Sequence, residues 1–136
     1  MARWTVGAIT EIPVVSDGGP DDPRWHPLQH ALGIDTFGLN LFVASRSEQT
    51  LVEEHDEHAS GQQELYLVLE GEAMFTLDGE QVHLTAASAV AITDPTVRRS
   101  ATALVQGTKL LVIGAADAPF TSTWDARHFS DIPRPE

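Results

Sequence analysis

The chain has 136 residues, 42% hydrophobic and 21% charged, and its eight basic against twenty acidic side chains give a net charge of -12. This length and composition predict one globular domain with a proper core, and the negative charge argues against nucleic acid or an anionic membrane as a partner, because this surface would repel either. The absence of cysteine excludes disulfides, thiolate zinc sites and cysteine nucleophiles, so any metal must take His and carboxylate ligands.

The N-terminal part of the chain is expected to lack regular strands. Residues 1–14 are typical of an extended arm, and residues 16–27 are rich in Gly, Pro and Asp, which favours irregular structure. The apolar anchors of the arm are expected at Trp4, Val6, Ile9 and Ile12. Trp25 is expected to pack over the barrel, and His26 to face solvent. No apolar segment is long enough for a signal peptide or a transmembrane span, so a cytoplasmic protein is expected.

The rest of the chain alternates short apolar runs with turn-forming residues. A helical turn from Leu28 to Leu32 is expected to end at Gly33. Runs of about five residues separated by Gly-containing turns are typical of strands and hairpins. The predicted strands cover residues 34–44, 51–55, 65–69, 73–77, 80–84, 89–93, 97–104 and 109–114. About eight short strands without long helical periodicity predict an all-β sandwich or barrel.

Strand parity assigns side chains to faces, because successive residues of a strand point to opposite sides. In the strand at 80–84, His83 lies opposite the apolar residues, so a surface histidine is expected. The strand at 97–104 is expected to carry, on one face, Arg98, Ser100 and Thr102. Residues 115–136 are expected to wrap around the outside of the barrel or to reach a partner subunit. The apolar anchors of that tail are Phe120, Trp124, Phe129 and Ile132.

Side chains that can bind a metal are concentrated just before the strand at 65–69. The cluster consists of His55, Asp56, Glu57 and His58, and Glu64 opens the strand itself. An acidic loop of this kind can also be solvated and hold no site. Tyr66 shares a face with Glu64, so it either orients a ligand or donates a proton there, or is a core aromatic with a satisfied hydroxyl.

The spacing of Glu64 and Gly71, with six residues between them, resembles the second half of the first cupin motif, and the Asp78-Gly79 turn follows where cupins have a hairpin. The resemblance covers about residues 35–114. It implies that residues 1–136 form a single cupin domain, a double-stranded β-helix or jelly-roll barrel with extended N- and C-terminal arms. It also implies a homodimer that would use the apolar anchors of both termini.

In cupins two His, a Glu and a later His commonly bind one divalent metal, and this chain departs from that pattern. His58 matches the first His position, Ser60 stands at the second, and Arg98 stands where the later His belongs. A guanidinium has no lone pair for a metal, whereas it pairs well with a carboxylate. His55, at the end of its strand, can complete a set of His55, His58 and Glu64.

Two functions are therefore compatible with the sequence, and neither assigns a catalytic residue. In the first, Glu64, Tyr66 and Arg98 form a metal-free pocket for a small molecule, with an anion among the candidates. In the second, His55, His58 and Glu64 bind one divalent ion (Fe, Mn, Ni or Zn) in a cupin enzyme of the dioxygenase, isomerase, cyclase or decarboxylase type. The same scaffold serves many chemistries, so the resemblance does not choose between them.

Overall fold

The computed structural model describes residues 3–15, 19–117 and 128–133. One short helix, α1, spans Leu28–Leu32 and ends at Gly33, as predicted. No helix within these ranges is long and apolar enough to cross a membrane. The strands are β1 (Arg24–His26), β2 (Gly38–Val43), β3 (Thr50–His55), β4 (Gln63–Glu70), β5 (Glu72–Leu77), β6 (Glu80–Thr85), β7 (Ala89–Ile92), β8 (Arg99–Ala103) and β9 (Lys109–Ala115).

The described strands form two antiparallel sheets that enclose a common core. The strand order is β1-β2-β9-β4-β7 in the first sheet and β3-β8-β5-β6 in the second. The core draws Tyr66 and Val68 from the first sheet and Phe75 and Ala101 from the second, and all four are buried. Alternate residues along each strand therefore point inward, as the period of two predicts. The predicted jelly-roll β-barrel is confirmed.

Strand β1 lies inside the segment that was predicted to be irregular. It pairs with β2, so that Trp25 stands opposite Phe42. This pairing depends on a partner strand later in the chain, and the Gly and Pro content of the segment itself cannot indicate it. The expected solvation of His26 is wrong, because the side chain is buried and its Nδ1 lies 2.5 Å from the carbonyl oxygen of Ile12. The first predicted strand is also shorter than expected and begins at Gly38.

The outer face of the five-stranded sheet is covered by α1 and part of the N-terminal arm. Ile12 is buried there and Ile9 is partly buried, as predicted. Trp4 and Val6 are not anchors within the described chain, since they are 74% and 89% exposed. Phe129 and Ile132 are buried against Val15, which confirms two anchors of the C-terminal tail, while Phe120 and Trp124 lie outside the described residues.

The chain passes from one sheet to the other at Gly71, the single residue between β4 and β5. Its φ of +82° lies in the left-handed region, and a Cβ at this position would lie 2.8 Å from the Cα of Thr108. The turn therefore requires glycine for both its backbone conformation and its close approach to a neighbouring segment. Glycine at this point fixes the connection between the strand that carries Glu64 and the opposite sheet.

Candidate functional site

A cavity of about 510 Å³ lies between the two sheets, with walls formed by strands from both of them. Its volume is within the range of small-molecule sites. The loop that leads into β1 adds a further part of the wall. The polar and aromatic side chains of the lining include Asp21, Asp22, Trp25, Asn40, Phe42, Glu53, Glu54, His55, Glu57, Glu64 and Tyr66.

Glu64 lies on the inner face of β4, and its side chain is only 10% exposed. One carboxylate oxygen, Oε1, accepts hydrogen bonds from the Tyr66 hydroxyl at 2.5 Å and from Nη1 of Arg99 at 2.8 Å. Gly114 on β9 lies beside this carboxylate, and a Cβ there would be at an ordinary contact distance of 3.5 Å from Glu64 Oε2 but only 2.7 Å from Gln62 Oε1. The carboxylate is therefore fixed in orientation by two donors to Oε1.

Arg99 is the cation that neutralises Glu64, and its side chain is fully buried. Its Nε and Nη2 donate to the carbonyl oxygen of Val97 at 3.2 and 2.9 Å, and Nη2 also lies 3.5 Å from the carbonyl oxygen of Pro95. Because most of its donors are engaged by the protein, Arg99 orients Glu64 and does not offer a fork to a ligand.

Arg98, predicted to lie in the pocket with Glu64 and Tyr66, does not lie there, and the neighbouring Arg99 pairs with Glu64. Arg98 points outward, its side chain is 53% exposed, and its Nε lies 3.4 Å from Glu54 Oε1. The inward residues of β8 are Arg99, Ala101 and Ala103, all of them buried. The cupin spacing predicts that residue 98 faces inward, whereas in β8 the residues with odd numbers, from Arg99, face inward. The alternation of Ala101 and Ala103 with polar neighbours was the sequence signal that could have corrected it.

His55, at the end of β3, is held between a backbone carbonyl and two carboxylates. Its Nδ1 lies 2.7 Å from the carbonyl oxygen of Glu53, and its Nε2 lies 3.1 Å from Glu57 Oε1 and 4.0 Å from Glu64 Oε1. The hydrogen bond with Glu57 raises the pKa of His55 above its ordinary value, and burial opposes part of this rise. The same hydrogen bond lowers the pKa of the Glu57 carboxyl.

Tyr66 is buried beside this group, and its ring contacts Phe75 edge-on with the centroids 5.3 Å apart. Burial raises the pKa of Tyr66 well above its ordinary value, and the Glu64 carboxylate raises it further. The phenol is therefore neutral at physiological pH and donates a hydrogen bond to Glu64. The expectation of a core aromatic with a satisfied hydroxyl is confirmed, and a role of Tyr66 toward a ligand stays a prediction.

Within the described residues, His55, Glu57 and Glu64 each offer one ligand atom, and these atoms all lie within 4.8 Å of one another. The donor set fits a divalent ion, because one imidazole and two carboxylates suit Zn, Mn or Fe. The contact between Nδ1 and a backbone carbonyl is the arrangement that normally orients a metal-binding histidine. Nε2 then faces the carboxylate oxygens of Glu57 and Glu64. Either a proton or a metal ion must lie between this nitrogen and those oxygens.

His58 is not part of this group, so the predicted set of His55, His58 and Glu64 is corrected to His55, Glu57 and Glu64. The backbone N–H of His58 donates to Asp56 Oδ1 at 3.1 Å, and this turn leaves His58 exposed. Glu57 takes its place in the group. Spacing did not reveal Glu57, because the conformation of the loop decides which of its residues face inward.

Ser60 and His83 are two further residues for which the sequence made a prediction. Ser60, at the position of the second cupin His, donates its hydroxyl to Glu57 Oε2 at 2.6 Å and therefore positions a candidate ligand. His83 is exposed on the outer face of β6, 3.6 Å from Glu72, which confirms the predicted surface histidine.

No protein-family model matches the chain, and no curated protein matches it in sequence. Solved structures do match in fold. A cupin protein from Bacteroides fragilis has 17% identity and a TM-score of 0.65, with 91% of this chain and 93% of that chain covered. An RmlC-like cupin from Shewanella frigidimarina has 16% identity and a TM-score of 0.62 (86% and 94% covered), and KdgF from Halomonas sp. has 15% and 0.60 (76% and 86%). The chain has the cupin fold, and at these identities the similarity extends no further.

Proposed function

We propose that this cupin-fold protein binds one divalent metal ion through His55, Glu57 and Glu64 and takes a small molecule in the adjoining cavity. The observation that carries the proposal is the orientation of His55. Its Nδ1 is held at 2.7 Å by the Glu53 carbonyl, while its Nε2 faces Glu57 Oε1 at 3.1 Å and Glu64 Oε1 at 4.0 Å. An imidazole lone pair and two carboxylates directed at one point form a site for a cation.

The surrounding residues support each ligand of the proposed site. Ser60 donates to Glu57, and Tyr66 and Arg99 donate to Glu64. Both donors to Glu64 reach Oε1, the oxygen that lies 4.0 Å from His55 Nε2, and they fix the direction in which this carboxylate points. Such outer contacts hold ligands in place before the ion arrives, which reduces the ordering cost of binding.

The buried Arg99 reduces the negative charge of the proposed metal site and does not lie in the position of the ion. Two carboxylates and Arg99 give a net charge of minus one when His55 is neutral, which still attracts a divalent cation. Bound there, the ion would supply a Lewis acid at the wall of the cavity. Fe, Mn, Ni and Zn are all compatible with these ligands, and the reaction of a metal-dependent cupin enzyme would be set by the small molecule that the cavity admits.

The contacts of Tyr66 and Arg99 disfavour the metal-free alternative, in which the cavity binds an anionic ligand. The Tyr66 hydroxyl donates to Glu64, and Arg99 is fully buried against Glu64 and backbone carbonyls. Arg98 faces the outside. No lysine or arginine is among the described residues that line the cavity, so its charge favours a cation or a neutral molecule over an anion.

Calorimetric titration of chelator-treated protein with Mn²⁺ and Zn²⁺ tests the proposal. We expect one ion per chain for the wild type, and at least tenfold weaker binding for both His55→Ala and Glu57→Gln, because each removes a ligand. His58→Ala and Glu54→Gln are the matched controls, and each should bind within about twofold of the wild type. Folding of each variant is checked by circular dichroism. A wild type that binds neither metal, or equal losses in His55→Ala and His58→Ala, would contradict the proposal.

A further inference from the structure

One wall of the cavity is aromatic and is held rigidly by the protein. Trp25 and Phe42 both line the cavity, with their ring planes 21° apart and their centroids separated by 6.3 Å. The Trp25 indole N–H donates to Asn40 Oδ1 at 2.7 Å, and Phe129 contacts the indole edge-on at 5.9 Å. Phe129 belongs to the C-terminal segment, so that segment fixes the orientation of a cavity residue. A preformed aromatic wall adds no ordering cost when a ligand binds.

The polar part of the lining is acidic. Among the described lining residues there are six carboxylates, Asp21, Asp22, Glu53, Glu54, Glu57 and Glu64. Three of them pair with arginines that lie outside the lining. The pairs and their shortest distances are Asp21–Arg46 at 3.4 Å, Glu54–Arg98 at 3.4 Å and Glu64–Arg99 at 2.8 Å. Six negative and three positive charges leave an excess of three negative charges when His55 is neutral.

A metal ion alone would not cancel this excess. A divalent ion at His55, Glu57 and Glu64 would neutralise two of the three charges and leave one. Asp22 and Glu53 contribute to this remainder without belonging to the metal-binding group. Both are exposed to solvent and need no counter-charge, but they keep the potential at the cavity negative, which attracts a positively charged small molecule.

We propose that the molecule bound in this cavity is a small organic cation, an alkylammonium or quaternary ammonium compound, whose charged group lies against Trp25 and Phe42. This inference rests on the proposed function in one respect, that the cavity takes a small molecule, and it does not require the metal. The negative faces of aromatic rings attract weakly hydrated cations, and nearby carboxylates add a longer-range attraction. Strongly hydrated inorganic ions gain little from such a wall, so the two kinds of cation occupy different parts of the lining.

Three molecules of nearly the same shape and different charge test this inference by calorimetry. They are choline, its neutral isostere 3,3-dimethyl-1-butanol, and the anion 3,3-dimethylbutanoate. We expect choline to bind at least tenfold more tightly than the alcohol, and the anion to bind more weakly still. The affinity for choline should fall as the salt concentration rises, because screening weakens the attraction of the carboxylates. Equal affinity for choline and the alcohol, tighter binding of the anion, or no binding of any of the three would overturn the inference.

Variants separate the aromatic from the electrostatic contribution. Trp25→Leu should weaken choline binding at least tenfold, while Trp25→Phe should retain it within about threefold, since a phenyl ring keeps the π face. Trp4→Leu removes an exposed tryptophan and should have no effect. The double variant Asp22→Asn with Glu53→Gln should weaken choline and leave the alcohol unchanged, with Asp35→Asn plus Glu80→Gln as the remote control of equal charge. Unaltered choline binding in Trp25→Leu would contradict the proposed wall.

Measuring choline in metal-free and in Zn²⁺-treated protein keeps the two proposals distinguishable. If the metal titration fails and choline still binds in a manner that depends on Trp25, the metal site is wrong and the cation site stands. If Zn²⁺ binds through His55 and the three probes bind equally or do not bind, the metal site stands and the cation site is wrong.

Discussion

Glu64 is a buried carboxylate whose charge is tolerated because Arg99 lies against it. Burying an isolated charge is costly, whereas a paired and hydrogen-bonded charge is accommodated. Arg99 in turn is satisfied by the carbonyls of Val97 and Pro95. The pair therefore forms a fixed base beneath the proposed ligand atoms of His55 and Glu57.

Exchange of either of two neighbouring arginines for methionine tests this role. Arg99→Met leaves the Glu64 carboxylate buried without its cation, so we expect the free energy of unfolding to fall by about 3–5 kcal/mol. Arg98→Met removes only exposed pairs with Glu54 and Asp56 and should cost less than about 1 kcal/mol. Urea denaturation at neutral pH measures both. Similar losses for the two variants would contradict the assignment of Arg99 as the buried partner.

The candidate site was predicted in part at the level of single residues. Glu64 was identified from its spacing to Gly71, Tyr66 from its strand parity with Glu64, and His55 from its place at the end of a strand before the acidic loop. Glu57 was not identified as a ligand, since its inward orientation depends on contacts with His55 and Ser60 that no spacing encodes. Arg99 was missed because the cupin spacing points to position 98, whereas the alternation in its own strand places residue 99 on the inner face with Ala101 and Ala103.

At the scale of elements, the loop before β8 links the two halves of the site. The carbonyl of Pro95 accepts from the backbone N–H of Glu57 at 2.8 Å and lies 3.5 Å from Arg99 Nη2. Asp94 shapes this loop by accepting from the backbone N–H of Thr96 at 2.9 Å and from its hydroxyl at 2.7 Å. These two hydrogen bonds lower the pKa of Asp94 below its ordinary value of 3.8, the backbone bond contributing most.

The lowered pKa of Asp94 makes the stability of this loop depend on pH. A carboxylate with a lowered pKa stabilises the folded state above its ordinary pKa, and this contribution is lost as the pH falls through the folded value. Asp94→Asn keeps an acceptor and cannot titrate. We expect the difference in unfolding free energy between wild type and variant to be constant between about pH 5 and 7 and to shrink below 3.8. Urea denaturation across this range measures it, and a difference that stays constant or grows in acid would contradict the role.

The turn at Gly71 is the second element that positions the site, and two alanine variants test it. Gly71→Ala combines an unfavourable left-handed backbone with a Cβ 2.8 Å from the Cα of Thr108, so we expect a loss of about 3 kcal/mol or more. Gly79→Ala has nearly the same φ, +85°, and no atom within 4 Å of the added Cβ, so the backbone alone should cost about 1–2 kcal/mol. Thermal or urea unfolding compares them, and equal losses would show that close packing at Gly71 is unimportant.

The strands were the most predictable elements, since a period of two in apolar residues places them directly. The helical turn ended at Gly33 as expected, because a left-handed residue is the usual end of a helix. Strand β1 was not predicted, because Gly, Pro and Asp surround it in the sequence and favour turns. Its only partner in the described chain is β2, and the local sequence does not indicate this pairing. Long-range pairing is the information that local sequence lacks.

At the scale of the whole molecule, two sheets enclose an acidic and aromatic cavity, and terminal segments cover part of the outside. The expected homodimer remains a prediction. Trp4 and Val6 expose apolar surface that a second copy could bury. We expect light scattering after size-exclusion chromatography to give 2 × 14.7 = 29.4 kDa in place of 14.7 kDa. A monomeric mass at all concentrations would contradict the dimer.

Anomalous X-ray diffraction from crystals grown with Mn²⁺ or Zn²⁺ tests the central claim most directly, because it locates the ion itself. The account predicts one strong anomalous peak at about 2.0–2.2 Å from His55 Nε2 and from one carboxylate oxygen each of Glu57 and Glu64. The account is contradicted if crystals grown at a saturating metal concentration show no peak between these side chains and keep the hydrogen bond between His55 and Glu57. A peak bound instead by His58 would equally contradict the account.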